Sequence, residues 1–306
     1  FSHASNVVAD GGLTPWGTSD YLCASGGFGR DIELTNDGKI YTAGMSDSPF
    51  QMVVNRTLSN GSVDTSFGSA GTRVLSELGS SPFTFSISKV EDLLMMGDGD
   101  VVAVGYGTRS SQQDIVIVRL DSSGNLDLSF DGDGVLILAP TILDDYASSG
   151  TVLSDGDIII AGTTATSATN NDLYMARINS DGTLDNSFDS DGSVIIDVSG
   201  NDIFVDLAVR SDGNIAIAGS AIADPTVVVV TPTGALYTAF NDDGVSTITG
   251  LGAITVNALS IQADGKMVFA GRKTVGSVNS HLVGRLTSNG NLDPTFNGDG
   301  LNIIEV

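Results

Sequence analysis

Of the residues that could do chemistry in this chain, the most regularly placed are pairs of oxygen-bearing side chains two positions apart. They are Asp131 and Asp133, Asp189 and Asp191, Asn241 and Asp243, and Asn297 and Asp299, each pair closing on a glycine. Alternate residues of a tight turn can face one cation, so the spacing suits a hard ion such as calcium, which takes oxygen ligands. The full calcium-loop pattern is absent: no third acid stands at the next alternate position, and no Glu follows at fixed spacing. Asp, Asn and Gly are also ordinary turn formers. Calcium at these eight residues is the only cofactor expectation, with turn formation as its alternative.

A catalytic centre is harder to assemble. The strands expected to lie innermost carry Glu33, Glu91, Asp92 and Arg210, spread over three repeats with nothing comparable in the third and fifth. A metal-dependent lactonase of propeller type needs several convergent ligands, which these do not supply. His3 and His281 are the only histidines, and nothing places either beside a serine and an acid as a triad requires. No residue is therefore assigned a catalytic role. Cys23, the single cysteine, excludes an internal disulfide and a thiolate metal cluster. Asn55-Arg56-Thr57 and Asn60-Gly61-Ser62 match the glycosylation acceptor pattern.

The elements that position these residues are read from repetition. LDLSFDGDG, residues 126–134, has relatives ending at Gly71, Gly192, Gly244 and Gly300. Ahead of each motif lies an apolar strand, an Asp-Gly turn, and a second apolar strand ending at Gly44, Gly105, Gly162, Gly219 or Gly271. An Asp-Gly pair between two apolar runs predicts a hairpin, because its turn needs the positive φ these residues tolerate. The turn aspartates are Asp37, Asp98, Asp155, Asp212 and Asp264. A third strand follows over 51–58, 115–120, 173–178, 227–230 and 281–286, and a fourth over 72–75, 135–138, 193–197, 246–248 and 301–305. Four antiparallel strands per repeat predict an all-β, five-bladed β-propeller or propeller-like array over residues 31–306. Residues 1–30 fit the repeat incompletely and read as an N-terminal arm or edge strand, with 13–16 strand-like and 21–30 a loop.

Comparing the repeats with one another shows which positions change together. Arg56, Arg119, Arg177 and Arg285 each precede a motif aspartate by eight residues: Asp64, Asp127, Asp185 and Asp293. In the fourth repeat both partners change, to Val229 and Tyr237, as expected of a partly buried ion pair that is costly to break and cheap to replace whole. Phe67, Phe130, Phe188, Phe240 and Phe296 recur at one motif position and are expected to pack between blades, although a sugar-stacking ring is the functional alternative.

The alternation of DGK-I-x-x-A-G with LD-x-S-F-x-x-D-G resembles the bacterial delta-60 repeat over about residues 31–306. That resemblance implies a propeller-like array in secreted or surface proteins and no established reaction. The first motif departs at Gly68 and Ala70 and the fourth at Tyr237. A net charge of -24 over 306 residues disfavours nucleic acid and anionic lipid, and no apolar run is long enough to span a bilayer. A start at Phe1-Ser2-His3, without an initiator Met, suits a mature secreted form, so the expected location is extracellular or cell-surface.

The functional expectation is a non-enzymatic binding, adhesion or structural module that contacts a protein or carbohydrate surface or itself. Recognition would fall to variable loops such as 107–114 and 163–172. One alternative is a propeller hydrolase or lyase acting at the central mouth. Another is a filament subunit, with the N-terminal arm adding a strand to a neighbour.

Overall fold

A computed structural model describes residues 27–47, 50–75, 85–86, 88–276 and 278–305. The arm expected over residues 1–30 lies outside them up to residue 26, as do His3 and Cys23. Strand structure begins at Phe28, so the last three residues of the expected loop already lie in a strand.

Five four-stranded antiparallel sheets follow one another, as a propeller-like array requires. The first contains β1 (Phe28–Leu34), β2 (Ile40–Met45), β3 (Met52–Thr57) and β4 (Thr72–Val74). The second contains β5 (Ser88–Met95), β6 (Val101–Arg109), β7 (Gln112–Leu120) and β8 (Val135–Leu138). The third is β9 (Asp145–Val152), β10 (Ile158–Ser167), β11 (Asn170–Ile178) and β12 (Ser193–Ile196). In the fourth are β13 (Asp202–Val209), β14 (Ile215–Ala221), β15 (Asp224–Val230) and β16 (Val245–Thr247). The fifth has β17 (Ala253–Ile261), β18 (Met267–Val275), β19 (Val278–Leu286) and β20 (Leu301–Glu305). In every sheet the strands pair in chain order.

The chain forms two compact units: one runs to Ile158 and includes Ile178–Thr183, and the other comprises Ile159–Arg177 and the residues from Leu184 onward. In the first unit β1 packs on β5 and β5 on β9, and in the second β13 packs on β17. Middle strands such as β14 and β15 are buried along their length, so they read as continuous apolar runs, whereas β17 alternates. Apolar cores fill the space between sheets, with Tyr41, Val54, Phe67 and Leu93 in one unit and Val229, Phe240, Leu259 and Phe269 in the other.

Two local expectations change. The Asp-Gly turns exist, but among each pair only the glycine has positive φ, 82° at Gly38 and 93° at Gly99. Gly38 N donates to Thr35 O and Thr35 N to Lys39 O, both at 3.0 Å, which closes a turn longer than two residues. The segments 107–114 and 163–172, expected as recognition loops, are mostly strand. Arg109 pairs with Gln112 across a two-residue turn at Ser110 and Ser111, whose φ values are 50° and 72°. Their polar side chains hid the strand, because backbone pairing continued where apolar alternation stopped.

Candidate functional site

The motif loops are built mainly for sheet-to-sheet contact. Asp131, Asp189, Asn241 and Asn297 all take positive φ, between 45° and 52°. The backbone N–H groups of Asp131, Asp189 and Asn241 donate to carbonyls in the next repeat: Asp181, Thr233 and Asn289, at 2.8, 2.9 and 2.8 Å. The second acid of each pair caps its own turn. Oδ1 of Asp133, Asp191, Asp243 and Asp299 accepts from the backbone N–H two residues on, at 2.8 to 3.0 Å. Asn241 and Asn297 donate their amides to Val245 O and Leu301 O. Burial first, and then the charges of Asp133 and Asp181, raise the Asp131 carboxyl.

All four arginine–aspartate pairs form. Nε of Arg56, Arg119, Arg177 and Arg285 lies 2.8 to 2.9 Å from the partner carboxylate. In the fourth repeat Val229 and Tyr237 join the apolar core instead. A different cation, Arg210 from the turn after β13, lies 5.9 Å from the centre of the Tyr237 ring. Phe67, Phe130, Phe188 and Phe240 are fully buried, as packing anchors should be, and Phe296 is partly exposed.

A β-bulge interrupts each of four first strands, at Arg30, Glu91, Val205 and Asn257. The residue after the bulge becomes a staple where it is acidic. Asp31 Oδ2 accepts from Leu93 N at 2.8 Å, Asp92 Oδ2 from Gly150 N at 2.7 Å and Ser149 Oγ at 3.1 Å, and Asp206 Oδ2 from Leu259 N at 2.7 Å. The bulge also explains a glycine in the second strand of each of these four repeats. A Cβ on Gly105 would sit 2.0 Å from the Lys89 carbonyl oxygen, with matching collisions at Gly44, Gly219 and Gly271.

Bulges re-aim side chains, and in the first unit they bring reactive groups together. Glu91 at the second bulge meets Arg30 at the first, with Arg30 Nε 3.7 Å from Oε2 and making no hydrogen bond. Lys89 Nζ forms an ion pair with Glu91 Oε1 and lies 5.6 Å from the centre of the Tyr106 ring. Lys89 and Tyr106 are cross-strand partners of β5 and β6. Tyr106 meets Tyr146 of β9 edge to face, centroids 5.0 Å apart at 82°. Burial, with the Glu91 charge second, pushes the Tyr106 hydroxyl up to about 12. Tyr146 is likewise raised, by burial and then by Asp144.

Sequence reasoning named Glu91 in this cluster but missed Arg30, Lys89, Tyr106 and Tyr146. Its other inner-strand candidates do not join them. Asp92 is a staple, and Arg210 pairs with Asp212 at 3.2 Å. His281 lies on β19, in the other unit.

Four segments, 35–67, 97–130, 153–188 and 262–296, match the family model described as "Domain of unknown function (DUF5122) beta-propeller". These four segments are similar to repeats of a propeller-like family, and the unmatched repeat is the fourth, which lacks the arginine–aspartate pair. No curated protein is significantly similar to the chain in sequence. Among solved structures, the PL25 ulvan lyase, described as a new family of polysaccharide lyase, aligns at TM-score 0.50 with 11% identity, over 86% of this chain and 66% of that one. The polysaccharide lyase Uly1 aligns at 0.49 with 14% identity, over 92% and 64%. An α-L-arabinofuranosidase from Lactobacillus brevis aligns at 0.44 with 14% identity, over 90% and 88%. The chain spans about two thirds of the length of both lyases.

The likeness to the ulvan lyase corrects the expectation of a non-enzymatic binding, adhesion or structural module: the protein that shares the fold is an enzyme. No helix among the described residues is long and apolar enough to cross a membrane.

Proposed function

We propose that this chain is a polysaccharide-degrading propeller enzyme, and that it cleaves uronate-containing chains by β-elimination at the Arg30, Lys89, Glu91, Tyr106 and Tyr146 cluster. The observation that carries this reading is the contact of Lys89 with both Glu91 and the ring of Tyr106, a phenol that holds its proton at neutral pH. The fold shared with an ulvan lyase is consistent with it.

Elimination needs three services. A cation must neutralise the uronate carboxylate, so that the proton on the adjacent carbon becomes acidic, and the Arg30 side chain, 40% exposed, offers its guanidinium. Glu91 accepts that proton. As the carbon–carbon double bond forms and the glycosidic carbon–oxygen bond breaks, Tyr106 donates its proton to the departing oxygen. Tyr146 packs against Tyr106 and fixes its orientation. A net charge of -24 repels a polyanion at long range, so the local attraction rests on Arg30 and Lys89. A polysaccharide substrate implies an extracellular or cell-surface setting.

The test is incubation with uronate-containing and neutral polysaccharides, following ultraviolet absorbance of the unsaturated product and release of reducing ends. The reading expects both signals together on a uronate substrate. Reducing ends without the absorbance would mean hydrolysis, and neither signal on any substrate would overturn the enzymatic reading. Two finer proposals stand beside this one: that the repeats are of the delta-60 kind, and that the eight motif-loop residues bind calcium.

A further inference from the structure

The described residues include one group of three acids whose ligand atoms all lie within 4.8 Å of one another: Asp172, Asp197 and Asp202. Asp172 lies on β11, Asp197 directly follows β12, and Asp202 opens β13, all within the second unit. Two of the three are buried, Asp172 at 4% exposure and Asp202 at 0%. Asp202 Oδ2 accepts from the N–H groups of Val198 and Ser199, at 2.9 and 3.3 Å. Its other oxygen, Oδ1, is buried without any hydrogen-bond partner and is the atom left to face the cluster. Asp172 accepts from Thr166 Oγ1 at 2.6 Å and from Asn170 Nδ2 at 2.9 Å. Among the described residues no lysine or arginine pairs with any of the three.

The preceding repeat contains an internal control. Asp114 on β7 and Asp145 at the start of β9 occupy the places of Asp172 and Asp202, but Ala139 stands where Asp197 would be. There Arg109 Nη2 lies 2.9 Å from Asp114. Where the arginine is present the third acid is missing, and where Ser167 replaces it a third acid appears. A buried carboxylate oxygen with no donor costs several kcal/mol unless a cation compensates it. An all-oxygen set with one exposed member suits a hard ion that keeps water ligands, and carboxylates drawn from three separate strands or their ends suit the flexible coordination of calcium better than the strict octahedron of magnesium.

We infer that Asp172, Asp197 and Asp202 form a calcium site that ties β11, β12 and β13 together. It is separate from the motif loops and from the cluster assigned to catalysis.

The test is calorimetric titration of the chelator-stripped full chain with calcium chloride or magnesium chloride, with thermal melts in calcium or chelator at matched ionic strength. Wild type should bind calcium saturably, prefer it to magnesium and gain several degrees in Tm. Asp197→Ala alters an exposed residue and should fold, yet lose at least tenfold in calcium affinity along with the Tm gain. Asp202→Asn should melt higher than wild type in chelator and lower in calcium. Absence of heat and shift in wild type, an equal response to magnesium, or an undiminished response in Asp197→Ala would each overturn the assignment.

Discussion

Replacing Asp92 by alanine perturbs the contact between the second and third sheets at one point. The carboxylate is 5% exposed, and it accepts from Leu93 N at 3.0 Å, Gly150 N at 2.7 Å and Ser149 Oγ at 3.1 Å. Hydrogen bonds to a charged group contribute about 1.5–3 kcal/mol each, and a buried N–H left without an acceptor costs about 1–3 kcal/mol. The three bonds share one acceptor group and do not add in full, so Asp92→Ala should lose about 3–5 kcal/mol. Asp92→Asn keeps a carbonyl oxygen for Gly150 and should lose about half as much. Equilibrium unfolding in urea, with hydrogen exchange at the Gly150 amide, reads both. A loss below about 1 kcal/mol with Gly150 still protected would refute the staple and return Asp92 to an incidental acid.

Three further outcomes are expected. Gly105→Ala places a Cβ 2.0 Å from the Lys89 carbonyl, so it should destabilise the first unit and displace Lys89, read as a lowered Tm together with lost activity. Arg285→Met removes the 2.8 Å partner of Asp293, side chain 3% exposed, leaving Lys266 Nζ 3.2 Å away, and should lower stability in urea unfolding, whereas the double change to Val and Tyr, copying Val229 and Tyr237, should cost less than the single one. Alkaline stability should fall as pH rises from 10 towards about 12, because unfolded tyrosine releases its proton at about 10 while folded Tyr106 holds it, and Tyr106→Phe should flatten that limb of a pH–Tm profile.

Acid behaviour has the opposite sign. Asp64 is lowered first by the Ser66 hydroxyl, Asp185 by the Ser187 backbone N–H, and Asp293 by the Thr295 hydroxyl. Folded pKa values below 3.8 mean that the stability these groups contribute is present above that pH and is lost as pH falls beneath it.

What was legible in the sequence was what repeats. Asp-Gly turns, motif phenylalanines and arginine–aspartate pairs recur, and each occupies the structural place its recurrence implied. The bulges were not legible, because an extra residue in a first strand leaves no mark on an apolar pattern that tolerates polar residues there. The glycines of the second strands were visible as a motif, but their cause, the bulged strand passing over four of them, was not. The candidate active site was missed for the converse reason. Arg30, Lys89, Tyr106 and Tyr146 each stand where other repeats carry different residues, as Phe28, Ile203 and Thr255 do at the position of Lys89. Repetition marks scaffold, while departure from it inside an aligned column marks the unique chemistry.

The central claim is tested most directly by comparing wild type with Tyr106→Phe on a uronate polysaccharide, following ultraviolet absorbance of the unsaturated product. Loss of a general acid predicts a fall in rate of at least about 100-fold with the melting temperature at neutral pH nearly unchanged. A Tyr106→Phe enzyme as fast as wild type, or a wild type that forms no such product, would contradict the account.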